Sequence, residues 1–264
     1  MGTENRFPKA KEVQLFYNNN GATEQVKAFK GLVNEDKPEQ LFNVVGANYK
    51  VAQHDEVMQV VEKALADMGL QNEVFHDVMN MGARLRVNIR FPEIKLGIGN
   101  DYVKMVSYFD NSYDYTTGLR YELAAYQGEY LIFVGGNFSK FYHRHTKGMN
   151  IHEVENTIHK GVEVFQSKIK AELETLAETA VDPIVFSGWL NGLIDKPEDE
   201  KSVIPKKHLE TIKKAFHEER ATMNSLWNIY NLVCKTLGKQ DLNIDRLPAL
   251  CRTFLDAMKK EFSK

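Results

Sequence analysis

The 264-residue sequence predicts an α+β protein: an antiparallel sheet of about five strands flanked by helices, followed by a helical C-terminal region. Three observations predict it. Residues 74 to 134 consist of short stretches of alternating character broken by Gly, Asn, Asp and Pro. A helical repeat precedes them at His54 to Leu70, and from Ile151 onward apolar residues recur at intervals of three and four. The expected division is an N-terminal arm over 1–44, an α+β core domain over 45–181 and a helical region over 182–264.

In the arm, Asn18-Asn19-Asn20-Gly21 reads as a turn, and Thr23 to Val33 as a short helix. From His54 the residues Val57, Val60, Val61, Ala64, Leu65 and Met68 fall on one helical face. Asp55 and Glu56 occupy the first turn, where the helix dipole favours acids, and Gly69 supplies a stop. The expected strands are Val74 to Met79, Arg84 to Phe91, Tyr102 to Asp110, Leu119 to Tyr126 and Tyr130 to Val134, with Gln127-Gly128 as a hairpin turn. In the second strand Arg84, Arg86, Asn88 and Arg90 alternate with Leu85, Val87, Ile89 and Phe91, so one face is apolar and the other basic.

Beyond the sheet, Ile151, Val154, Ile158, Val162, Phe165, Ile169, Leu173 and Leu176 predict one long helix of about seven turns. Asp182-Pro183 is its expected end, Val185 to Ile194 a connection, and Lys196 to Lys201 a charged surface loop. A helix from about Pro205 to Gly238 and another carrying Ile244 to Phe262 close the chain.

Composition narrows the function classes. The hydrophobic share of 43% and charged share of 27% are those of a globular protein, and no apolar run is long enough to cross a bilayer. The N-terminus lacks the apolar core of a secretory signal, so a soluble, cytoplasmic protein without membrane partners is expected. Cys234 and Cys251 read as reduced, buried thiols. A net charge of −2 argues against coating nucleic acid with the whole surface. Residues 82 to 150 nevertheless carry nine Lys or Arg against six acids, which concentrates positive charge in the middle of the chain.

No nucleophile elbow, His-Glu-x-x-His or kinase-type set occurs, and no catalytic residue or cofactor is predicted. Gly97-Ile98-Gly99-Asn100 lacks the third glycine and Lys-Ser/Thr of a phosphate loop and reads as a turn between strands. His143 and His145, with His152 and His159 further on, lack a third ligand fixed by spacing, so no metal site is predicted. Asp110 and Asp114 are expected to bond nearby backbone amides.

The segment from Asn137 to Lys147 differs in kind, because it combines Lys140, Arg144 and Lys147 with Phe138, Phe141 and Tyr142 and contains no acid. Cations that track phosphates beside aromatic faces that stack on bases suit single-stranded nucleic acid. The competing account places the aromatics in the core at the sheet-to-helix junction.

Three segments carry a family resemblance: Tyr49-Lys50-Val51-Ala52-Gln53-His54-Asp55-Glu56-Val57; Asn111-Ser112-Tyr113-Asp114 with Gly118-Leu119-Arg120; and Arg144-His145-Thr146. Together they resemble an uncharacterised phage- and plasmid-borne family, a domain of unknown function, over roughly residues 45 to 180, with Tyr115 and Thr116 replacing the family's usual small residues. The resemblance implies a role in replication, recombination or interference with host defence, and no reaction.

The element order is also similar to the core of phage single-strand annealing proteins, which are oligomeric. The leading expectation is therefore a single-stranded DNA binding or annealing factor, with a homo-oligomer as the assembly to look for. In it Arg84, Arg86, Arg90, Lys104 and Arg120 contact phosphate, Lys140 and Lys147 add charge, and Phe141, Tyr142 and Arg144 stack or insert. Charge reversal at Arg86 and Arg144 should then abolish binding without unfolding the protein. The alternative is a non-enzymatic interaction protein acting on a host protein through its C-terminal helices, with Trp227 and Tyr230 exposed. A third class is an enzyme built from distant residues, with His143, His145 and Asp114 as first suspects.

Overall fold

The structure, a computed structural model, describes residues 7–99, 101–133, 140–195, 204–240 and 246–263. Contacts divide the chain into two compact units: the described residues of 1–93, 106–123 and 139–163, and those of 94–105, 124–138 and 164–264.

The first unit begins with a three-stranded antiparallel sheet of β1 (Ala10–Asn19), β2 (Ala22–Asn34) and β3 (Leu41–Gly46). The helix expected over Thr23 to Val33 is therefore strand. Asn20 and Gly21 both adopt positive φ, at 50° and 89°, which is the two-residue turn that matches the twist of a hairpin. That turn commits the following residues to pair with β1, where Ala22 faces Asn19 and Asn34 faces Ala10. The inner side of this sheet packs Ala10, Leu32 and Val45 with Tyr49 and Tyr113 into a small core.

Helix α1 (His54–Met68) follows, with the Glu56 carboxylate accepting from the Gln53 N–H at 3.1 Å and Gly69 ending the helix at φ 61°. Next come β4 (Glu73–Met79), β5 (Arg84–Ile98), β6 (Asp101–Ser112), β7 (Leu119–Gln127), β8 (Tyr130–Ile132) and β9 (Lys140–His143). They form the expected antiparallel sheet, in the order β4-β5-β6-β7-β8, with β9 pairing β7 as a sixth strand. Leu119 to Glu122 pair with β9, and Ala125 to Gln127 pair with β8 across the turn at Gly128. Val134, expected in the fifth strand, lies outside the described residues.

Helix α2 (Glu153–Val164) completes the first unit up to residue 163. It approaches β7 closely because Gly161 has no side chain: a Cβ there would collide with the Tyr121 hydroxyl.

The second unit holds α3 (Lys170–Glu178), α4 (Pro183–Ile194), α5 (Lys206–Glu219), α6 (Leu226–Gly238) and α7 (Arg246–Phe262). The long helix expected from Ile151 spans α2 and α3, with a π-helical turn at Phe165–Ile169 between them. Two other expectations change. Val185 to Ile194 belongs to a helix rather than a connection, because Asp182 is an N-cap whose carboxylate accepts from Ile184 N–H at 2.6 Å and Pro183 sits at N1. The run from Pro205 to Gly238 is two helices, because Ser225 caps a new one by accepting from Asn228 N–H at 3.2 Å. The charged loop at Lys196 to Lys201 and residue Ile244 lie outside the described residues.

Cys234 and Cys251 are free and buried, as expected, and a bond from Cys234 together with burial pushes the Cys251 thiol upward. Trp227 and Tyr230 are buried as well. The Trp227 indole donates to the Asp101 carboxylate at 3.2 Å, and the Tyr230 hydroxyl donates to the Phe133 carbonyl. Both therefore serve core packing and are not exposed anchors for a partner. Among the described residues no helix is long and apolar enough to cross a membrane.

Candidate functional site

The basic face predicted for β5 is built around one carboxylate. Asp110, 1% exposed on β6, accepts from Arg86 Nε at 2.6 Å and Arg86 Nη2 at 2.7 Å, the two-pronged geometry that guanidinium and carboxylate share. Arg120 on β7 adds Nε at 3.0 Å and Nη2 at 2.5 Å, and Arg84 Nη2 lies 3.4 Å away. Burial opposes the charged carboxylate, but Arg86, Arg120 and Arg84 outweigh it and hold Asp110 below the ordinary range. Arg84 and Arg86 are buried, while Arg120 remains 25% exposed in its side chain. Both faces of this end of β5 are covered, since Leu85, Val87 and Ile89 are buried on the other side. Asp110 thus gathers arginines and not backbone amides. Asp114 does bond locally, accepting from Thr116 N–H at 3.0 Å and from Asn80 Nδ2 at 2.8 Å.

Arg90 lies further along β5, its guanidinium 5.2 Å from the Phe75 ring. Lys104 belongs to the second unit, where its ammonium is 5.9 Å from the Tyr126 ring. Lys140 and Phe141 pair by backbone with Glu122 and Tyr121, and their side chains lie outside the described residues, as does Phe138. Of the rest of the segment, Tyr142 is 56% exposed and Arg144 and Lys147 are exposed, whereas His145 between them is buried. Tyr142 sits directly across from Arg120 in the β7–β9 register. Its ring rests over Gly118, where any side chain would collide with it and with the His143 carbonyl. The structure therefore brings Arg84, Arg86, Arg120 and Tyr142 together in one unit.

His143 and His145 do not form a metal pair. His143 Nε2 meets the Glu153 carboxylate at 2.8 Å, and His145 is buried with its ring 5.1 Å from that of Tyr49, nearly parallel at 28°. Among the described residues neither ring nitrogen of His145 has a hydrogen-bond partner, and burial lowers its pKa to about 4.

A polar knot beside it was not singled out from residue chemistry. His54 is fully buried and stacks on Tyr113 with ring centres 4.1 Å apart. Its Nε2 lies 3.2 Å from the Gly82 carbonyl, which only accepts, so that nitrogen carries the proton. Nδ1 is then the acceptor for Asn111 Nδ2 at 3.0 Å, and Asn111 also donates to the Ala52 carbonyl at 2.8 Å. Burial holds the imidazole neutral, with a pKa lowered to about 4. The Tyr113 hydroxyl accepts from His54 N–H at 2.8 Å and lies 3.1 Å from Gln53 Oε1. Tyr49 donates to the Ser112 carbonyl at 3.0 Å, and the backbones of Tyr49 and Thr146 bridge. All three segments that carry the family resemblance thus meet here. Hydrogen bonds over sequence separations of 57 to 63 join the first two segments, and the ring contact and backbone bridge of Tyr49 bring in His145 and Thr146 of the third.

A cleft of about 440 Å³ in the first unit is lined by Lys50, Gln59, Lys63, His152 and Glu155 over a floor that includes Val51, Val60 and Met149.

A family model described as a domain of unknown function (DUF932) matches residues 41–252, so the chain belongs to that family. No curated protein matches the chain.

Proposed function

We propose that this DUF932 protein binds single-stranded nucleic acid, DNA in preference, through the exposed patch of Tyr142, Arg144 and Lys147 with Arg120 beside it. The observation that supports the reading is the placement of Tyr142, 56% exposed and directly opposite Arg120, with the exposed Arg144 just past the end of β9. An exposed phenol ring offers a face for stacking, and guanidinium and ammonium groups within a few residues offer phosphate contacts. Arg84 and Arg86 add positive potential from beneath and reach no ligand themselves, because they are buried against Asp110, whereas the Arg120 side chain keeps 25% of its surface exposed. A role in recombination or replication of a phage or plasmid, strand annealing included, would follow from such binding, as would assembly of several copies along one strand.

The test is fluorescence anisotropy of labelled single-stranded and duplex oligonucleotides at low and moderate salt. Wild type should prefer the single strand and weaken with salt. Arg144→Glu should weaken binding by about tenfold or more and lower the salt slope by about 0.7. Absence of binding to either oligonucleotide at low salt overturns the reading.

A protein partner is the second reading, and an exposed apolar sheet face favours it. Phe29, Leu41 and Val44 are 51%, 52% and 43% exposed, and the β2–β3 register places them on one side of the N-terminal sheet. Failure of nucleic-acid binding would make this face the first place to look.

A further inference from the structure

We propose that the first unit binds a divalent first-row metal ion, with zinc as the probe, through Asp67 of α1 and Glu155 and His159 of α2. Glu155 and His159 are four residues apart, so they share one helix face. Asp67, in the last turn of α1, completes the set: one ligand atom from each of the three lies within 4.8 Å of the others. Two carboxylates and an imidazole are a donor set that zinc, manganese and ferrous iron accept, with the remaining positions left for water or a further ligand. Donors about 2.1 Å from a shared tetrahedral ion stand roughly 3.4 Å apart. Asp67 and His159 are exposed, so closing that difference requires only side-chain rotation at the surface.

Two features of the surroundings call for a cation. Asp67 lies at the C-terminal end of α1, where the helix dipole disfavours an acid, and the last turn holds no basic residue. The cation now serving the cluster is Lys63, one turn before Asp67, whose ammonium donates to both Glu155 oxygens at 3.0 and 3.2 Å. Lys63 is 64% exposed in its side chain, so it is free to swing into solvent as a metal arrives. Glu155 and Lys63 also line the 440 Å³ cleft, so a metal held by Glu155 stands at the edge of a space able to admit a small ligand.

The experiment is isothermal titration of the untagged full chain with zinc chloride, and separately with manganese chloride. The comparison is between wild type, Glu155→Gln, His159→Ala and Lys63→Met. Surface histidines elsewhere can bind zinc, so the variants decide the outcome. One saturable site in wild type that weakens by about tenfold or more in Glu155→Gln and in His159→Ala supports the proposal. Tighter binding in Lys63→Met would add that the ammonium competes for the site. Identical isotherms for wild type, Glu155→Gln and His159→Ala overturn it. So does binding seen only in Lys63→Met, because Lys63 would then exclude metal from the native chain.

Discussion

Arg86 and Arg144 belong to the same unit, and on the sequence both are cations placed to meet phosphate. Arg86 is 3% exposed and spends its guanidinium on Asp110, while Arg144 is exposed on the segment that follows β9. The difference lies in their neighbours across the sheet. Asp110 is buried on β6 beside β5, so arginines on β5 and β7 that point to its side are drawn into an internal ion cluster. Arg144 follows the end of β9, outside its register with β7, and stays exposed. A row of basic residues on a strand is therefore not by itself an exposed face, because a carboxylate buried on the neighbouring strand can draw it inward.

The comparison is broken most sharply at Asp110. Asp110→Ala leaves three guanidiniums without their shared carboxylate, two of them buried, and should cost about 3 to 5 kcal/mol of stability by urea denaturation. A cost below roughly 1 kcal/mol would mean that the cluster is solvated and that Arg84 and Arg86 are available to ligands after all. Charge reversal at Arg86 consequently tests the fold, and Arg144 is the position that tests binding.

Much of the fold was legible because periodicity reports burial: α1, α7 and the strands from β4 to β8 follow their apolar patterns. Where local signals compete, the reading failed. Thr23 to Val33 has no strong helical face, and the Asn20-Gly21 turn decides the matter in favour of a strand. Asp182-Pro183 is as good a helix start as a helix end, and the start prevails. The ion cluster was not legible at all. Arg86 and Arg120 stand 24 and 10 residues from Asp110, and only strand pairing brings them together. The His54–Asn111–Tyr113 knot was visible only as family resemblance, since nothing in a lone His and a lone Asn announces a hydrogen bond across 57 residues.

A second contrast, between His145 and its exposed neighbours, is tested by acid. His54 and His145 are held neutral, with pKa values lowered from 6.5 to about 4 in each case. A histidine lowered in this way binds protons more readily in the unfolded chain, so stability falls as pH drops from about 6.5 toward 4. Each contributes a loss on the order of 3 kcal/mol, and the loss levels off below the folded pKa. Asp110 acts in a different window. Its pKa is lowered from 3.8, so its contribution is present above that value and is lost only in stronger acid. Replacing His145 with Gln should cut the proton uptake on unfolding between pH 6.5 and 4 by about one proton. An unchanged slope would mean that His145 titrates as it does in the unfolded chain and is open to solvent.

The smallest effect on stability is expected where the effect on binding is largest. Tyr142→Ala removes a ring that is 56% exposed and seated over Gly118, so stability should change by no more than about 0.5 kcal/mol. If the ring stacks on a base, the same change should weaken single-strand binding by roughly 1 to 3 kcal/mol. Tyr142→Phe should retain that affinity, because stacking uses the face of the ring and not the hydroxyl. Urea denaturation and anisotropy on the same three proteins separate the outcomes. Loss of stability with unchanged binding would assign Tyr142 to the packing of β9 on β7. Loss of binding alone would place the exposed half of the comparison at the nucleic-acid surface.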